Sequence, residues 1–116
     1  PVAGSLEREQ AAERVRTFIE RHGSARFEPA DGEAVTVRDR AGWWRGDGET
    51  RRFMFTADGM KEALTGIDVR RGLDALQECG ALEVPQSGGA RAHSLRLGGL
   101  PVRVYFINPG RLGGAV

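Results

Sequence analysis

The sequence predicts an α+β domain, and three observations predict it. Apolar residues recur at helical spacing near the N-terminus and again between residues 57 and 79. The stretch between these segments alternates like a strand region, and the last third returns to short alternating runs broken by glycine.

The elements follow in order. In SLEREQAAERVRTFIERHG, Ala11, Val15, Phe18, Ile19 and His22 share a helical face. The spacing predicts an amphipathic helix over about residues 6–22, capped by Ser5, with Glu7 and Glu9 at its positive end and Gly23 as its stop. Next, ARFEPADGEAVTVRDRAGWWRGDGETRRFMFT has no helical period and contains Pro29. It alternates at Val35 and Val37 and again at Phe53 and Phe55, and GDGE at 46–49 reads as the turn of an additional β-hairpin. Adjacent residues of a strand point to opposite faces, so one of Trp43 and Trp44 is core. The other either packs beneath the first helix or offers a ring for stacking. Arg38 and Arg40 flank Asp39, which favours local ion pairs over a phosphate cradle.

A second helix is expected in TADGMKEALTG, capped by Thr56, with Ala57, Met60, Ala63 and Leu64 on one face and Gly59 weakening it. The third is marked more sharply. Asp68 caps it, Val69, Leu73, Leu76 and Cys79 form its stripe, and Gly80 ends it. ALEVP then reads as a short strand, QSGGARA as a tip, HSLRL as the returning strand, and PVRVYFI as a last strand after the GGLP turn. The tail NPGRLGGAV reads as frayed. Helix, turn, helix, strand, glycine tip and strand is the order of a winged helix-turn-helix. RRFMF would complete its sheet, and helix 6–22 would lie behind it.

At 116 residues the chain is expected to form one domain, and 40% apolar with 28% charged residues makes it globular rather than disordered. No apolar run reaches the roughly 20 residues of a membrane span. Cys79 is the lone cysteine, so no internal disulfide is possible, and a cytoplasmic setting is expected. A start at PVAGSLEREQ, without methionine, points to a piece of a larger protein. Net charge is only +1, but unevenly spread. Residues 1–34 carry five Arg against seven acids, whereas residues 84–116 carry four Arg and no acid.

Phosphate-loop, HExxH, GxSxG and paired-cysteine motifs are all absent from the sequence. His22 and His93 lie in distant segments without metal-ligand spacing, and His22 reads as a helix-end residue. The expectation is a non-catalytic domain with no cofactor and no metal. In a helix-turn-helix the second helix enters the major groove while the wing touches backbone. Arg70 and Arg71 in the first turn, and Gln77 farther along, are therefore candidate nucleic-acid contacts. Arg91, His93 and Arg96 are candidates on the wing, where Arg96 faces with Ser94 and away from Leu95 and Leu97. Asp74 and Glu78 on the same helix oppose phosphate binding, which makes the acid-free wing from Gln86 to Arg96 the more credible contact.

Taken together, FIERHGSARFEP, VRDRAGWWR, FMFTADGMKEAL with GIDVRRGLDALQECGALE, and LRLGGLPVRVYFI resemble the C-terminal region of a family of bacterial mobile-element helicases. These are large proteins of phages, plasmids and integrative elements, and some are AAA+ ATPases similar to the MCM replicative helicases. The resemblance runs from about residue 14 to 108. It implies an accessory winged-helix domain downstream of the ATPase core, with DNA as partner, and it assigns no catalytic residue to these positions. The alternative is a protein–protein module that docks onto the parent ATPase or a replication partner.

Overall fold

A computed structural model describes residues 3–23, 26–30, 40–46, 48–85, 91–97 and 100–112. Helix α1 (Ala3–His22) is followed by strands β1 (Phe27–Pro29), β2 (Gly42–Arg45) and β3 (Arg52–Phe55). Helices α2 (Ala57–Ala63) and α3 (Val69–Glu78) come next, then strands β4 (Leu82–Glu83), β5 (His93–Leu97) and β6 (Leu100–Ile107). The class is α+β, with three helices and a six-stranded sheet. No helix among the described residues is long and apolar enough to cross a membrane.

Most helix boundaries match the side chains that mark them. Thr56 caps α2 by accepting from the amide of Gly59 at 2.9 Å, Asp68 caps α3 by accepting from that of Arg71 at 3.2 Å, and Gly80 takes φ 85° just past α3. α1 begins earlier than its pattern indicates. Ser5 lies inside the helix rather than at its cap, and neither Glu7 nor Glu9 falls in its first turn. The chain after β6 is also less frayed than expected. Asn108 accepts from the amide of Gly110 at 3.0 Å to cap a single 3-10 turn (Pro109–Arg111), and Leu112 is buried behind it.

The strands lie in the order β1-β2-β3-β6-β4, with β5 also paired to β6. Among the described residues only β1 and β2 run parallel, and GDGE lies between β2 and β3, which pair as an antiparallel hairpin. The two ends of β6 have different neighbours. Tyr105, Phe106 and Ile107 pair with β3, and the last two also pair with β4, while Leu100–Val104 pairs with β5. β4 and β5 therefore do not pair with each other as the two strands of a wing. They are successive partners of β6, because Glu83 faces Phe106 and His93 faces Val104. The hairpin is β5–β6, and its register closes with Leu97 opposite Leu100. Residues 86–90 of the expected tip QSGGARA, Val35 and Val37 lie outside the described residues.

Register sorts the side chains onto two faces. Phe27, Phe53, Phe55, Leu82 and Ile107 form the face that packs on the helices, against Ala11, Val15, Phe18, Met60, Leu64, Leu73 and Leu76. Phe27 meets Phe53 and Phe55 edge-on, with centroids 5.2 and 5.0 Å apart, a geometry that suits the aromatic quadrupole. Met54, Trp43, Val104 and Leu97 form a second, smaller cluster on the opposite face. The tryptophans do point to opposite sides. Trp43 is buried in the small cluster with Arg40 over its ring, and Trp44 packs half-buried against the main core with Arg51 over its own. Arg40 pairs with buried Glu28. Arg38 and Asp39 lie outside the described residues.

Candidate nucleic-acid interface

α3 is one-sided because Gly72, Leu73, Ala75 and Leu76 turn inward. Gly72 lets α2 and α3 approach closely, since a Cβ there would come within 2.6 Å of Leu64 Cδ1. Val69 packs half-buried against the same core, and the other side chains of the helix face out. Gln77, Arg70, Asp74, Glu78 and Arg71, all exposed, follow one another around about 120° of its circumference, with Asp74 in the middle.

The hairpin supplies the second wall. In β5, Ser94 and Arg96 are exposed while Leu97 is buried and Leu95 half-buried, as alternation predicts. Ser94 pairs with Arg103, and Arg96 with Pro101. All four are exposed and lie on the face of β6 that carries Tyr105 and Ile107 toward the helices. Arg103 does not flank the tip expected at 86–92, so it is not among the basic residues that tip marks. Its signal is present nonetheless, since a turn at GGLP places it directly opposite Ser94 by strand pairing.

Arg91 and His93 have other engagements. The Arg91 guanidinium donates to the Asp74 carboxylate and makes a longer 3.4 Å contact with the Arg70 carbonyl, so it is bound to α3 itself. His93 lies on the sheet face away from the helices, half-buried, with its ring 4.5 Å from that of Phe106. Its Nε2 lies 2.8 Å from the Glu83 carbonyl oxygen. A carbonyl only accepts, so Nε2 carries the proton. His93 thus does not join Arg96 on one surface, and the expected set of Arg91, His93 and Arg96 resolves into two groups. Arg91 and His93 hold the root of the hairpin, whereas Arg96, with Ser94 and Arg103, faces outward.

Arg70, Arg71, Arg96 and Arg103 give planar donors suited to phosphate oxygens, and the Gln77 amide has the donor and acceptor of an adenine reader. Glu78 is the second acid of this face. Among the described residues no three His, Cys, Asp or Glu side chains converge to hold a metal. Away from this face, on α2, the Glu62 carboxyl is held below its usual value by hydrogen bonds from Arg26.

No family model, curated protein or solved structure matches the chain.

Proposed function

We propose that this chain is a winged-helix accessory domain that binds duplex or forked DNA without catalysis, acting in the cytoplasm as the C-terminal part of a mobile-element helicase or primase-helicase. The winged-helix reading is supported by the order β3-β6-β4 behind α2 and α3, in which a strand before the helix pair joins the strand that closes the sheet. α3 is then the groove helix and β5–β6 the wing. The helicase context rests on the sequence resemblance.

One observation carries the DNA reading. Arg96, Arg103 and Ser94 lie exposed on the helix-side face of the hairpin, on the same side of the sheet as an α3 that shows Arg70, Arg71 and Gln77. Two surfaces on one side of the sheet, both offering guanidinium groups, suit a phosphate backbone on one and a groove on the other. Arg91, paired with Asp74, neutralises one of the two α3 acids that oppose this reading from the sequence.

Titration of the domain with labelled duplex, forked and single-stranded DNA at two salt concentrations tests the proposal. Duplex or forked DNA is expected to bind more tightly at low salt, with Arg96→Ala and Arg103→Ala each reducing the salt slope by about 0.9. Binding no tighter than that of a neutral protein would remove the proposal.

A protein-docking role has its own support. Leu95, Val102 and Phe106 are only partly buried around Trp43 on the face away from the helices, and the chain carries a net charge of only +1. Retention of the domain on the parent ATPase core in the absence of DNA would favour that reading.

A further inference from the structure

One of the two acids that oppose DNA binding sits at the centre of the proposed contact face. Asp74 occupies the middle of the exposed arc of α3, and on charge alone its removal should tighten binding to a polyanion. The geometry around it points the other way.

Among the described residues only β5 pairs with β6 beyond the point where β3 and β4 flank it, and the face of the hairpin away from the helices packs through Leu97 and Val104 on Trp43 and Met54. Where β5 begins, near His93, further contacts fix its attitude toward α3. Two contacts do so from different elements. The His93 imidazole bonds the β4 carbonyl of Glu83 at 2.8 Å and packs on Phe106, on the face away from the helices. Two residues earlier, Arg91 reaches α3 and donates to the Asp74 carboxylate. The Arg91 side chain is 34% exposed and that of Asp74 is 56% exposed, so the pair is partly open to solvent.

We propose that Asp74 is a positioning residue. It anchors the hairpin to α3 through Arg91 and so sets the angle at which Arg96 and Arg103 meet DNA. The pair is electrostatically neutral, and its contribution to binding is geometric. Arg91 belongs to the frame of the site. The binding half of this inference rests on the function proposed above, while the geometric half does not.

A double-mutant cycle read two ways tests it. In duplex titrations, Asp74→Asn and Arg91→Ala change net charge in opposite directions. Both are nevertheless expected to weaken binding about two- to fivefold, the range an exposed ion pair can supply. The double variant is expected to bind no more weakly than either single variant, and Asp74→Glu, which keeps the carboxylate, to stay near wild type. In amide hydrogen exchange without DNA, residues 93–97 are expected to exchange faster in both single variants than in wild type. Tighter or unchanged binding by Asp74→Asn, or singles that add in the double variant, would overturn the positioning role. Unchanged exchange in both variants would overturn the anchor itself. Faster exchange together with no DNA binding by the wild-type protein would leave the anchor standing and remove the proposed function instead.

Discussion

Gly59 shows how a residue's meaning changes once its neighbours are known. In the sequence it is a flaw in a helix, and helix propensity assigns Gly→Ala a gain of about 1 kcal/mol. In the fold, α2 crosses the chain just ahead of β2 so closely that a Cβ on Gly59 would stand 2.3 Å from the carbonyl oxygen of Ala41. That oxygen accepts from the Thr56 amide at 3.0 Å and from its hydroxyl at 3.2 Å, so it has little room to withdraw. Gly59→Ala is therefore expected to destabilise the domain by about 1–3 kcal/mol despite its propensity, seen as a lower urea midpoint with an unchanged slope. A gain in midpoint would show that the backbone yields there. Gly42 is a stronger case of the same kind, with a Cβ position 1.9 Å from the Met54 carbonyl oxygen. Neither close approach is legible in the sequence, because each is made by a segment distant along the chain. Capping at Thr56 and Asp68 was legible, because a cap and its helix are neighbours in sequence.

Between elements, the helical layer is held at its edges by arginines that span long sequence separations. Arg14 of α1 donates to the Thr65 carbonyl in the turn between α2 and α3, and Arg26, just before β1, forks onto Glu62 of α2. The Arg26 fork lowers the Glu62 pKa from 4.5, chiefly through its hydrogen bonds and with a smaller contribution from its charge and that of His22. A carboxyl with a lowered folded pKa stabilises the fold above its unfolded value and loses that contribution as pH falls through the folded one. Glu62→Gln is therefore expected to melt below wild type near neutral pH, with the difference closing once pH drops under about 4.5. The carboxylate is half exposed, so the effect is modest. A melting difference that persisted unchanged at pH 3 would show that the fork matters through packing rather than charge. These partners escape a sequence reading for the reason that hid Arg103. Periodicity reports which way a side chain faces within its element, but not which element it will meet.

At the scale of the molecule, the α+β class, the three helices and the hairpin at GDGE were all readable, because local period and turn chemistry specify them. The connection of the last three strands was not. A glycine-rich segment between two alternating runs looks like a hairpin tip, yet β4 and β5 both take β6 as their partner, and the pairing turn lies at GGLP instead. The candidate site shifted with that correction. Arg96 kept its place, Arg103 joined it, and Arg91 and His93 moved to the root. Because β6 sets the register of β4 and of β5 separately, the number of residues joining those two strands enters neither ladder. The connection is therefore a place where the chain can change length without cost to the fold. Four extra glycine and serine residues between Ser87 and Gly88 are expected to lower stability by only a few tenths of a kcal/mol, the loop-closure increment, as read from the urea midpoint. The same insertion at GGLP would separate Leu97 from Leu100 and lengthen a turn on which the pairing depends. Variation among natural versions of such a domain would thus be tolerated between β4 and β5, while the hairpin itself stays fixed.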